Sequence, residues 1–171
     1  MATYTLISSN VLSSSAASVT FSAIPATYTD LVVRASVRST SAGTDWMDIQ
    51  FNSNATNYSD RYLLAQSSSA TSGADSYGNP KIYRTNICNS SNTSNTFSST
   101  EIYIPSYGVS QSKPVSVYSV EENNSATVYS IVTIAALWGV NTAISSIILT
   151  SDNAQNFVSG SSFYLYGISN A

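Results

Sequence analysis

Runs in which apolar and polar residues alternate recur along the whole chain, separated by segments of small polar residues. Leu31, Val33, Ala35 and Val37 fall on one side of such a run, and Arg34, Ser36 and Arg38 on the other. That two-residue period belongs to a strand with one buried face. Met47, Ile49 and Phe51 repeat it, which turns Trp46, Asp48 and Gln50 outward; Ile102 and Ile104 oppose Glu101 and Tyr103 in the same way. The pattern predicts strands at Tyr4–Ser8, Ser18–Ser22, Asp30–Arg38, Trp46–Phe51, Arg61–Gln66, Lys81–Ile87, Thr96–Ile104, Val115–Glu121, Thr127–Trp138, Ala143–Thr150 and Ser162–Ile168.

Two runs, Val128–Leu137 and Ile144–Leu149, are apolar on both faces. Periodicity leaves helix and central strand open for them; β-branched residues and short length favour strands covered on both sides, with a helix over Ile131–Trp138 as the alternative. Ser39–Thr44, Ser67–Pro80 and Asn89–Asn95 read as connections. Ser67–Pro80 is the longest and least patterned, an exposed loop that serves either recognition or plain connection. No strand–helix–strand alternation and no fixed repeat is present, which argues against a parallel α/β sheet, a propeller or a solenoid. About ten strands in 171 residues fit one all-β domain spanning 1–171. The expected architecture is a two-sheet antiparallel β-sandwich, jelly-roll-like, with an immunoglobulin-like sandwich second.

Composition sharpens this picture. Hydrophobic residues make up 43% of the chain, enough for a core, but charged residues only 9%, against roughly 25% in ordinary domains. Ser, Thr and Asn together supply roughly two residues in five, which suits turns and pleated surfaces and argues against long helices. Aromatic content of 11%, with 12 tyrosines, argues against disorder. The net charge is −3, and Arg34, Arg38, Arg61, Lys81, Arg84 and Lys113 are scattered, so no nucleic-acid partner is expected. Met1–Asn10 has no basic segment ahead of an apolar stretch, so no signal peptide is expected. The longest apolar run, Ile131–Val140, is about half a bilayer span, and no membrane partner is expected. Cys88 is the single cysteine; it allows no intrachain disulfide or cysteine-based zinc site and reads as a small buried hydrophobe.

Candidate chemistry is sparse. The chain has no histidine, which excludes Ser-His-Asp and Cys-His arrangements. The seven glycines are dispersed and Lys113 follows Gln111-Ser112, so no phosphate-binding loop is present. A glycosidase needs only two acids, but Asp45 and Asp48, like Glu121 and Glu122, differ in strand parity and cannot flank one bond. Asp45, Asp48, Asp60 and Asp75 have the oxygen chemistry for calcium, yet no spacing ties them together. No catalytic residue, metal or cofactor is therefore expected, and no enzyme. Trp46 beside Asp48 and Gln50, with Tyr103, Tyr118, Tyr164 and Tyr166 as further rings, fits either sugar stacking or packing against a second subunit or sheet. Trp46, Asp48, Gln50 and Tyr103 are thus the candidate glycan or subunit contacts.

The opening Met1-Ala2-Thr3-Tyr4-Thr5-Leu6-Ile7-Ser8-Ser9, the segment Ile24-Pro25-Ala26-Thr27-Tyr28-Thr29-Asp30-Leu31, the central Glu101-Ile102-Tyr103-Ile104-Pro105-Ser106-Tyr107 and the closing Ser162-Phe163-Tyr164-Leu165-Tyr166-Gly167-Ile168 carry a wider likeness. Over nearly its full length the chain resembles small structural proteins encoded by tailed bacteriophages, notably those of cyanobacteria. The resemblance implies a virion protein with a jelly-roll-like sandwich, made in the host cytoplasm. It would be a capsid decoration (cement) protein or part of the tail or its fibres. Its partners would be the major capsid protein or tail proteins, with a homo-oligomer, trimers included, and a host surface glycan as the alternative target. It implies no active-site residues.

Overall fold

The computed structural model describes residues 2–124 and 129–169, and no helix occurs among them. Alternating burial of β-branched and aromatic residues organises the described chain into twelve strands: β1 (Thr3–Val11), β2 (Ser18–Phe21), β3 (Asp30–Val37), β4 (Asp45–Phe51), β5 (Tyr58–Gln66), β6 (Ser69–Asn79), β7 (Ile82–Ile87), β8 (Ser98–Ile104), β9 (Lys113–Glu121), β10 (Ser130–Trp138), β11 (Ile147–Ser151) and β12 (Ser162–Ser169). They form two antiparallel sheets, one of eight strands in the order β1-β12-β3-β8-β9-β10-β5-β6 and one of four in the order β2-β11-β4-β7.

Eight of these strands wind as a jelly roll. β1-β12-β3-β8 lie side by side in one sheet and β2-β11-β4-β7 in the other, so that successive strands cross between sheets except at β4 and β7, which are neighbours in the second. The other four are two inserted hairpins, β5–β6 between β4 and β7, and β9–β10 between β8 and β11. Both hairpins extend the same edge of the first sheet. The all-β, two-sheet sandwich expected from the sequence is therefore the fold observed, with one sheet twice as wide as the other.

The core lies where the narrow sheet covers the wide one. Leu31, Val33 and Val37 of β3, Met47, Ile49 and Phe51 of β4, Ile102 and Ile104 of β8, and Ile147 and Leu149 of β11 are fully buried. Each such side chain contributes about 1.5–3 kcal/mol by leaving water. Phe51, Tyr58 and Trp138 fasten the inserted hairpins to β4, with Trp138 edge-on to Phe51 at 5.6 Å and stacked on Tyr58 at 6.3 Å between centroids. The Phe51 backbone N–H donates to the Tyr58 hydroxyl at 2.7 Å, which satisfies a polar group inside the cluster.

Two expectations are corrected. Ser67–Pro80 is not a loop: β6 runs through it and pairs with β5 from Gln66↔Ser69 onward. The hairpin turns through Ser67 and Ser68, with Ser67 at φ 53, the left-handed geometry that two-residue hairpin turns require. Nor is the apolar run of β10 covered on both faces. Val132, Ile134 and Ala136 are buried, but Ile131, Thr133 and Ala135 are exposed, because the described residues form no third layer outside the wide sheet. The expected start of that strand at Thr127 and Val128 lies outside the described residues. The remaining predicted strands are present, with ends displaced by up to four residues.

Candidate functional site

Trp46, Asp48 and Gln50 do share the side of β4 that faces away from Met47, Ile49 and Phe51, but all three are committed within the fold. The guanidinium of Arg84, on β7, lies 5.4 Å from the Trp46 ring centroid. Gln50 Nε2 donates to the Pro80 carbonyl at 3.4 Å. Asp48 is buried rather than exposed: it retains 1% of its accessible surface, its Oδ2 lies 3.2 Å from Lys81 Nζ, and its Oδ1 has no partner. Burial outweighs the pull of Lys81 and, with Asp152 and Asp45 nearby, pushes the Asp48 carboxyl up to about 7.

Tyr103 is not part of that group. It sits on β8 in the wide sheet, where its hydroxyl donates to Asp30 Oδ2 at 2.9 Å. Tyr118, Tyr164 and Tyr166 lie on the same wide sheet, on β9 and β12. The structure therefore brings together Trp46, Asp48 and Gln50, and separately the tyrosines, but not the two sets. Among the acids considered for calcium, Asp45 and Asp48 lie on β4 and Asp60 and Asp75 face each other across β5 and β6. Among the described residues no three carboxylate, cysteine or histidine side chains converge on a metal position. Asp45 Oδ2 accepts from Ser151 Oγ at 2.7 Å, and Glu121 Oε2 from Ser130 Oγ at 2.8 Å; Glu122 is exposed.

A cluster the sequence did not single out joins the β5–β6 hairpin to the narrow sheet. Arg84 stacks over Tyr62 at 4.7 Å as well as over Trp46, and its Nε bonds Asp75 Oδ2 at 3.0 Å. Arg84 has φ 69, at the register shift between β4 and β7, so a bulge aims its side chain out of the regular ladder. Gly73 permits the arrangement: a Cβ there would meet the Tyr62 hydroxyl at 2.4 Å. Beneath lies Asp60, 2% exposed. Neither of its oxygens accepts a hydrogen bond of normal geometry, although the Tyr83 backbone N–H exerts a weak pull. Burial and the charge of Asp75 push Asp60 up to about 6, against Arg84. The signal missed was β6 itself; once Asp75 is placed on a strand beside β5, its partner is within reach.

The outer face of the wide sheet is open and spans all eight strands. One cross-strand ladder runs Ser72, Leu63, Thr133, Tyr118, Glu101, Arg34, Tyr164, Ser9 across all eight strands. Its only ion pair, Arg34 with Glu101, sits near the middle. At the hairpin end Leu63, Tyr118 and Ile131 are 61%, 49% and 41% exposed, and at the other end Tyr4, Leu6 and Val11 are 60%, 51% and 60% exposed. All six cations have partners inside the fold: besides the three ion pairs, Arg38 donates to the carbonyls of Asn92, Thr93 and Thr96, Arg61 to that of Asp60, and the buried Lys113 to that of Val109. No family model, curated protein or solved structure matches the chain.

Proposed function

We propose that the chain is a bacteriophage virion structural protein, non-enzymatic, acting as a capsid decoration (cement) subunit, with a role in the tail as the alternative position. The observation that supports this reading is the outer face of the wide sheet of the jelly roll, broad, weakly charged and apolar at both ends. Such a face adds buried area between neighbouring subunits without desolvating many charges, and so raises the barrier to their separation. A glycan-binding role centred on Trp46 draws less support, because the Trp46 ring face is taken by Arg84 and Tyr103 stands on the other sheet.

The test is immunogold electron microscopy of purified particles of the phage that encodes the chain. Gold spread over the head is the expected result, and particles lacking the protein should release DNA at a lower temperature. Gold confined to the tail would move the assignment there. Absence from both intact and denatured particles would overturn the virion reading.

A further inference from the structure

β1 is the outermost strand of the wide sheet, nine residues long and paired only with β12. Every residue of it except Ile7 is exposed, and its free side presents backbone N–H and C=O groups with none of the described strands beside them. Soluble proteins usually protect such an edge with a charge, a proline or a very short strand. Thr3–Val11 contains neither a charged residue nor a proline. It has one bulge, between Leu6 and Ser8. The bulge inserts Ile7, which packs toward the core, and reverses the parity of Ser8–Val11 relative to Thr3–Leu6. Tyr4 and Leu6 lie across from Ile168 and Tyr166, and Ser9 and Val11 across from Tyr164 and Ser162, so all four share the outer face.

We propose that β1 is the pairing edge of a two-fold symmetric dimer, in which β1 of a second copy adds antiparallel to it with Tyr4 opposite Val11 and Leu6 opposite Ser9. A row of alternating backbone donors and acceptors is matched only by another extended strand. β1 supplies that strand in self-complementary form. Because the bulge moves Val11 onto the face of Tyr4, this register sets outer residues against outer residues and Thr5 against Asn10 on the other face. The two-fold axis then repeats the Tyr4–Val11 contact, an aromatic against a β-branched side chain, at both ends of the seam. No like charges meet across the axis. The opposite edge of the sheet is less suited, since β6 carries Asp75 in its ion pair with Arg84 and two glycines.

A seam about 30 Å long on a sheet flank about 10 Å deep gives about 300 Å² per copy. The total over both copies, roughly 600 Å², is below the 1,200 Å² or so at which specific, stable interfaces begin, so the dimer is a reversible one. The inference adds a partner to the assembly role proposed above, but the two fail separately. A dimer whose antibody never labels particles would sink the virion reading alone, and labelled particles with a monomeric protein would sink this inference alone.

Sedimentation velocity from about 5 to about 500 µM is expected to show a monomer–dimer equilibrium. Leu6→Lys should weaken it by about tenfold or more, while Leu63→Lys, at the far end of the same face, leaves it unchanged. Mixing Tyr4→Cys and Val11→Cys chains under mild oxidation should give a mixed disulfide dimer that neither chain gives alone; the natural Cys88 is buried. A monomer at every concentration would overturn the proposal. So would a dimer broken by Leu63→Lys and kept by Leu6→Lys.

Discussion

The two ends of the wide sheet are built differently, although both project past the narrow sheet. At the β6 end, side chains tie the overhanging hairpin down: Arg84 is held between Trp46 and Tyr62 and paired with Asp75, and Tyr62 lies over Gly73. At the β1 end, Ile7 alone packs against the core, and backbone bonds to β12 provide the rest. One end is held by a paired charge stacked between two rings. The other is uncharged and open along its whole length. An exposed edge is thus not by itself a docking signal; the informative feature is an edge left without the charges that normally deter pairing.

Truncating the cluster that anchors the hairpins should have the largest effect. Trp138→Ala is expected to cost about 3–5 kcal/mol in a denaturant melt that stays a single transition. Loss confined to hydrogen-exchange protection of the hairpins would instead mean that the β6 end folds apart from the jelly roll.

Asp60 gives the next largest effect, and its sign follows from linkage. Its carboxyl titrates near 3.8 when unfolded and near 6 when folded. Between those values the folded protein holds a proton that the unfolded chain releases, so stability falls as pH rises through the window and the full penalty is present above pH 6. Asp60→Asn should therefore gain about 2–3 kcal/mol relative to the natural protein between pH 4 and pH 8. Asp48 titrates in both proteins, so the difference between their pH–stability curves isolates Asp60.

Arg84→Ala should cost about 1–2 kcal/mol and raise hydrogen exchange in β6 while β1 is unaffected. Equal loosening of both ends would erase the comparison. The smallest effect is expected at the open end: Leu6→Lys should change monomer stability by no more than about 0.5 kcal/mol, measured below the concentration at which dimers form.

Strand parity explains how much was legible in advance. Leu31, Val33, Ala35 and Val37 share one parity with Arg34 and Ser36 on the other, and that period alone placed β3 and its buried face, as it did for β4 and β8. β6 was illegible because Ser69–Asn79, apart from Tyr77, has small and polar residues on both faces and turns through Ser67-Ser68, without the glycine or asparagine that marks a hairpin. Local sequence also turned Asp48 away from the core correctly, but it carried no information that Lys81 and the neighbouring strands would bury it.

The all-β class, the main core strands and the scarcity of catalytic side chains follow from local period and residue chemistry, which any stretch of the chain carries within itself. That two hairpins widen one sheet, that Arg84 joins Trp46 to Tyr62, and that β1 is left as an open edge became visible only in the folded chain. Each of those depends on which strands become neighbours, and backbone pairing between distant segments leaves no mark on the residues of either one alone.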